Sequence, residues 1–533
     1  MPRPRSVLSL YRCPTFLYDA RICVRRRSSN SANTTSTALQ KPRLDYRAIS
    51  ENVVYKSHNA FNRKAPLPVG AIQLIERLYS RQRELSHILN TKRHAQSVIG
   101  DRIRQAGNDA EVRQTALRDA KELKLDISRL EHDLSLVDDE LFSLASAVPN
   151  DTHPLTPLGS ESEAVILSTH GPDPIPPSPL RDHVSICRDL GLLDLEASAT
   201  VTGSSWYYLL REAALLETAL TNYGLSIALN HGYTPVTTPD VVRSDVARRC
   251  GFQPRDTADP PVAQMYHLSS NFDSSSSSPS PSHPELVLSG TAEIPLAGMF
   301  ANKILPSADL PRKVVGLGRA FRAEAGARGT ETRGLYRVHQ FTKLELFAVS
   351  RADQSEEMME EMRRVQVEIF SGLGFPFRCV LIPPHTLVLR PSPRSPRSAS
   401  VLDMPTEELG ASAYRKYDIE AWMPGRGSWG EISSLSNCTD FQARRLHIRY
   451  RLVPPPSSLP SPTSTSLPFA HTLNGTAVAV PRLIVALLEN GARFNDSGQV
   501  VGINLPAVLR PFWPQAYSRE IVRFSGRKVV QWV

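Results

Sequence analysis

Residues 316–347 read GLGRAFRAEAGARGTETRGLYRVHQFTKLELF. Two apolar runs, VVGLGRAF from Val314 and LYRVHQFTKLELF from Leu335, flank a stretch with Gly326, Gly329 and Gly334, which predicts a strand, a long turn and an antiparallel strand. A tight hairpin needs about two to five connecting residues, whereas about a dozen lie here, carrying Arg322, Glu324, Arg328, Glu331 and Arg333. Long charged loops between firm strands serve binding. On the second strand, alternation places Leu335, Arg337, His339, Phe341, Lys343, Glu345 and Phe347 on one side. Tyr336, Val338, Leu344 and Leu346 take the other.

At about 3.3 Å per residue, Phe341 and Glu345 stand ~13 Å apart, the scale of an extended aminoacyl nucleotide. An aromatic to stack on a base, a carboxylate to hold an ammonium and Arg322 for a phosphate would together bind an amino acid joined to AMP. The same spacing also suits a solvated edge hairpin of mixed charge.

The 533 residues, 41% hydrophobic and 22% charged, describe a chain of two or more domains able to bury a sizeable core. A net charge of +9 favours a polyanionic partner without establishing one, because part of the excess lies at the amino end. There, Arg3, Arg5, Arg12, Arg21, Arg25, Arg26 and Arg27 face one acid, Asp19, ahead of the run SSNSANTTSTALQ. Residues 1–40 therefore read as an organellar transit peptide of disordered character, mitochondrial in the first instance, with chloroplast import open on residues alone. Arg12 interrupts the only apolar candidate for a secretory signal, and no later segment is apolar enough to span a bilayer, so no membrane partner is expected. Cys13, Cys23, Cys187, Cys250, Cys379 and Cys438 form no CxxC pair and suggest neither a disulfide framework nor zinc.

Residues 41–150 read as a helical arm. Ala116, Ala120, Leu123, Ile127, Leu130, Leu134, Val137, Leu141 and Leu144 alternate spacings of four and three, and Leu74, Leu78, Leu85 and Ile88 repeat the seam more briefly. Gly107, Asn108 and Asp109 mark a turn, predicting an antiparallel two-helix coiled coil. Lys92, Arg93, Arg102 and Arg104 near its tip are candidates for phosphate contact on an RNA; a dimerisation coil would show the same pattern.

Residues 160–533 hold the remaining domain, interrupted by low-complexity stretches near 270–284, 390–400 and 454–468. Leu209, Ala213, Leu216, Leu220, Tyr223 and Ile227 form one helical stripe, followed by a short strand stopped at Pro239. SEEMMEEMRRVQVEIFSGLGF reads as an amphipathic helix, and PRLIVALLEN as an apolar helix with Pro481 in its first turn and Arg482 at its positive end.

FRAEAGARGTETRGLYRVHQFTKLELF resembles motif 2 of the class II aminoacyl-tRNA synthetases in its seryl-tRNA synthetase form, with RGLxRVHQFxKxE intact. TAEIPLAGMF at 291–300 is similar to that family's serine-site Thr-x-Glu element, DIEAWMP and EISSxSNxxDFQARR to its ATP-site strings, and LNGTAVAVPRLIVALLEN at 473–490 to its motif 3. The helix and strand near 205–239 resemble motif 1 more loosely, and so does the arm its counterpart.

The resemblance implies an α+β class II domain, an antiparallel sheet flanked by helices, carrying an amino-terminal arm and working as a homodimer. It implies ATP-dependent activation of L-serine and transfer to tRNA(Ser) in the mitochondrial matrix, with ATP and Mg2+. By that implication Arg322 bridges the serine carboxylate and the α-phosphate. Glu345 holds the serine ammonium, and Thr291, Glu293 and Thr476 surround the amino acid. ATP falls to Arg322, Ala323, Glu324, Val338, Phe341, Glu431, Ile432, Ser433, Ser434 and Arg482, with Phe341 on the adenine, Arg482 on the γ-phosphate and magnesium near Glu431 and Ser434. An RNA-binding paralogue that has lost activation would be expected to lack Arg322, Glu345 or Arg482, and all are present. A class II enzyme for another amino acid fits RVHQFxKxE poorly.

Overall fold

The computed structural model describes residues 39–105, 109–252, 264–269, 284–324, 334–379, 401–452, 467–514 and 529–533. The leader at 1–40, apart from Leu39 and Gln40, lies outside them, as do the stretch at 390–400 and nearly all of those at 270–284 and 454–468. Arg328, Glu331 and Arg333 also lie outside.

After two short helices, Tyr46–Glu51 and Val53–Asn62, the arm consists of α1 (Ala71–Gln105) and α2 (Ala110–Ala147). Both are proline-free, and at 1.5 Å per residue each runs ~50 Å or more. Asp109 caps α2 by accepting from the backbone N–H groups of Glu111 and Val112. The helices are antiparallel: Gln82 donates to Asp138 at 2.6 Å, Lys92 meets Asp126 at 2.5 Å and Arg93 meets Glu131 at 2.7 Å. On α2 the expected seam supplies buried Ala116, Ile127 and Leu141. On α1 the buried positions are Ala71, Ile72, Ile75, Leu85 and Leu89, so the expected Leu85 is among them while the stripe otherwise runs beside Leu74 and Ile88. The base of α1 packs on Ile49 and Val148 as well as on Leu141.

The rest is built on a ten-stranded sheet. Its strands are β1 (Val165–Ile166), β2 (Ser168–His170), β3 (Thr234–Thr237), β4 (Arg312–Phe321), β5 (Gln340–Ser350), β6 (Phe377–Cys379), β7 (Val401–Asp403), β8 (Arg415–Met423), β9 (Ser428–Asn437) and β10 (His471–Ala479). They lie in the order β1-β7-β8-β9-β10-β5-β4-β3, with β6 joining β8 to β2, and every pairing is antiparallel except β3 with β4. Helices α3 (Arg211–Asn230), α4 (Ser355–Gly372) and α5 (Val480–Gly491) contribute Leu216, Leu220, Met362, Ile369, Leu483 and Ile484 to one apolar cluster with Leu344 and Leu346 of β5. Phe347 and Val349, on the opposite side of β5, pack into a second cluster with Ile294, Leu296 and Phe300. The alternation expected for β5 therefore holds from Phe341 onward.

It does not hold before that. The second strand begins at Gln340, and residues 334–339 lie outside it, so strand alternation cannot assign faces to Leu335, Tyr336, Arg337, Val338 or His339. The reversal is made at Gly334 with φ +77°, where a Cβ would lie 2.2 Å from Nε2 of His183.

Candidate active site

The register of β4 with β5 runs unbroken from Ala320 opposite Phe341 to Gly316 opposite Glu345. Phe341, Lys343 and Glu345 consequently share one face. The Arg322 guanidinium sits 5.3 Å from the Phe341 ring centroid, and its Nε–H donates to the carbonyl of Gly290 at 3.3 Å. Glu345, 1% exposed, is held at 2.6 Å by Lys343 Nζ, which also donates to Thr291 Oγ1 at 3.2 Å. Thr291 stands just ahead of the short helix Glu293–Met299. Glu293 accepts from Gln442 at 2.6 Å and from Asn474 at 3.0 Å. Burial, with Glu345 adding to it, pushes the Glu293 carboxyl up to about 7 against the opposing pull of Lys343, Gln442 and Arg322. Thr476 lies opposite Glu345 in the ladder between β5 and β10.

The neighbouring pair of strands carries a bulge. The register of β9 on β8 shifts between Ile419 opposite Ser433 and Glu420 opposite Glu431, leaving Ile432 as an extra residue. Glu431 and Ser434, three apart, thereby reach the same cavity. Ile432 is fully buried in the main apolar cluster, and the Ser433 hydroxyl donates to the carbonyl of Thr476 at 2.6 Å and accepts from Gln366 of α4 at 2.9 Å, so neither side chain turns to the cavity. Arg482, in the first turn of α5, donates to the Glu431 carbonyl at 3.1 Å and pairs with its carboxylate at 3.0 Å. Burial works against the charge of both groups, but the pair outweighs it: Glu431 lies well below the usual carboxylate range and Arg482 above its ordinary value. Arg322 moves the other way, lowered by burial and by the neighbouring Arg482 cation.

At the hairpin tip, Ala323 N–H donates to Gln264 O at 3.1 Å, Glu324 has φ +44° and lies 3.8 Å from Arg337 Nη1, and Val338 is buried. A cavity of about 310 Å³ is lined by Thr291, Glu293, Arg322, Lys343, Glu431, Ser434 and Asn474, and reaches Arg63 and Gly410 at the base of the arm. Glu345 lies behind Lys343. From the sequence no role falls to Lys343, Asn474, Gln442 or Arg63, although the first three stand within the quoted strings, as the K of KxE, the N of LNGTAV and the Q of DFQARR. Glu431 and Ser434 offer hard oxygen donors in one cavity, a set that fits a magnesium ion accompanying a nucleotide. Among the described residues, one other acid and histidine cluster, Asp182, His183 and Glu489, is closed by its own hydrogen bonds.

On the arm, Lys92 and Arg93 face acids of α2, while Arg102 and Arg104 lie in the exposed last turn of α1, Arg104 bonded to Asp101.

Residues 276–491 match the tRNA synthetase class II core domain (G, H, P, S and T). The serine--tRNA ligase of Rubrobacter xylanophilus is 38% identical over 480 residues, covering 90% of this chain and 99% of its own. This chain belongs to the serine--tRNA ligases. The family's mitochondrial members from Schizosaccharomyces pombe and Saccharomyces cerevisiae are 37% identical over 479 residues and 36% over 490, covering 89% and 90% of this chain and 89% and 97% of theirs. Seryl-tRNA synthetase from Pyrococcus horikoshii, solved in complex with ATP, aligns with a TM-score of 0.72 and 31% identity over 88% of this chain and 98% of that one. The fold is that of the class II synthetases, and the expected antiparallel sheet flanked by helices is borne out, as is the pair of long amino-terminal helices.

Proposed function

We propose that the cavity joins L-serine to ATP as seryl-adenylate and passes the seryl group to the terminal adenosine of tRNA(Ser). One observation carries this reading: Phe341 and Glu345 share the cavity side of β5, with Arg322 against the first and Lys343 and Thr291 beside the second.

In the first step a serine carboxylate oxygen attacks the α-phosphorus and pyrophosphate leaves. Arg322 spans the carboxylate and the α-phosphate, placing both where the new bond forms. Phe341 and Val338 flank the adenine, with Glu324 and the backbone of Ala323 at its edge. The Glu345 carboxylate, which has lone pairs for more than one donor, takes the serine ammonium beside Lys343. Thr291, Glu293 and Thr476 enclose the hydroxyl and backbone, so alanine would leave buried polar groups unpaired. Arg482 meets the γ-phosphate, and the Ile432 and Ser433 backbone runs along the phosphates. Magnesium, held through Glu431 and Ser434, would neutralise phosphate charge. No side-chain nucleophile is needed, because positioning and charge stabilisation supply the acceleration.

The arm, residues 41–150, is proposed to act as a coiled coil that grips tRNA(Ser) through Lys92, Arg93, Arg102 and Arg104. Residues 160–533 form the catalytic domain of a homodimer. The leader at 1–40 and the mitochondrial relatives support a matrix protein, and no helix among the described residues is long and apolar enough to cross a membrane. The test is ATP–pyrophosphate exchange with serine, threonine and alanine, followed by charging of purified tRNA. Exchange with serine alone is expected; equal exchange with threonine or alanine would overturn the serine assignment.

A further inference from the structure

Tyr336 is 9% exposed, and two guanidinium groups lie over its ring: Arg426 with its Cζ 4.0 Å from the centroid and Arg482 with its Cζ 4.9 Å away. Its hydroxyl donates to the Glu431 carbonyl at 3.4 Å, the same oxygen that Arg482 reaches at 3.1 Å. The ring fits because residue 430 is glycine: a Cβ there would stand 2.9 Å from the Tyr336 hydroxyl.

The ring is also fixed from behind. Leu335 N–H donates to His183 Nε2 at 3.2 Å, which leaves the proton on Nδ1 to donate to Glu489 Oε1 at 2.9 Å. Glu489 belongs to α5, the helix whose first turn carries Arg482, and its Oε2 accepts from Gly425 N–H at 2.7 Å, beside Arg426. The hairpin return at Leu335 and Tyr336 is thus tied to both ends of α5.

Arg482 and Arg426 would repel if brought together over an aliphatic surface, whereas an aromatic face attracts both. We infer that Tyr336 is a positioning residue that holds the Arg482 guanidinium at the terminal-phosphate end of the nucleotide site. This rests on the proposed reading in which Arg482 meets the γ-phosphate.

The experiment is calorimetric titration of the full chain with ATP and with AMP, without serine. Tyr336→Leu is expected to raise the Kd for ATP about 30-fold, the size of one desolvated cation–π contact, while the Kd for AMP stays within about two-fold. Tyr336→Phe, which keeps the ring, should stay within about three-fold for both ligands. If the leucine variant does not fold, Tyr336→Met fills similar volume without a ring and carries the same expectation. Unchanged ATP affinity in the ringless variant, or equal weakening of ATP and AMP, overturns the inference. A wild-type chain that binds ATP but exchanges no pyrophosphate with serine would sink the proposed substrate and leave this inference standing.

Discussion

In the arm, Arg93 faces Glu131 across 2.7 Å with side chains 53% and 47% exposed; in the sheet, Lys343 faces Glu345 across 2.6 Å with 10% and 1% exposed. The residue types and distances are alike, and the surroundings make the difference. Water screens the arm pair, so pairs of this kind contribute about 0–1 kcal/mol and either partner can turn to a competing polyanion. The sheet pair is desolvated, and removing one partner of such a pair costs about 3–5 kcal/mol, so its geometry is fixed before any ligand arrives. On the proposed reading, one region holds charge in reserve for a large partner, while the other holds it in place for chemistry.

The sharpest way to break this contrast is at Arg322. Arg322→Ala should lower serine-dependent exchange by ~10³-fold or more, about 4 kcal/mol of transition-state stabilisation, with a melting temperature within a few degrees of wild type. Near-normal exchange would remove its assigned role. Next in size is removal of the arm. The Arg63 guanidinium donates to the Asn150 carbonyl at 2.9 Å, so the ends left by deleting residues 65–148 lie within the reach of one side chain. Exchange should stay within a few-fold while tRNA charging falls about 100-fold; unchanged charging would deny the arm its RNA role.

A smaller effect concerns Glu293, whose carboxyl is raised from about 4.5 to about 7 by burial and by Glu345. Between those values the folded chain keeps a proton that the unfolded chain has released. The stabilisation is therefore full below about 4.5 and lost as pH rises through 7. Glu293→Gln cannot titrate, so its melting temperature relative to wild type should climb from pH 5 to 7.5; a difference that does not vary with pH contradicts the shift. Smallest is Arg93→Ala, expected to cost less than ~0.5 kcal/mol in stability and to raise the KM for tRNA about two- to five-fold, measured by denaturant unfolding and charging kinetics.

Much of the candidate site was legible because it is local. The β4–β5 hairpin, the amphipathic α4 and the proline-started α5 each announce themselves through period and turn chemistry, and the cavity face of β5 followed from alternation alone. What escaped depended on partners distant in sequence. The start of β5 is set by Gly334 meeting His183, from a segment some 150 residues earlier. The base of α1 packs on Ile49 and Val148, outside either long helix. Asn474 and Gln442 converge on Glu293 from separate elements, and no spacing in the chain foretells that.

The single surplus residue at Ile432 sets a limit on how this polypeptide can change. In the sequence, the serine- and proline-rich stretches near 270–284, 390–400 and 454–468 fall between strands and not within one. Within the β8–β9 pair the count is rigid: a residue added to β8 between Ile419 and Glu420 would pair with Ile432, restore plain alternation and turn Ser434 to the face opposite Glu431. One residue gained there separates the two oxygen donors.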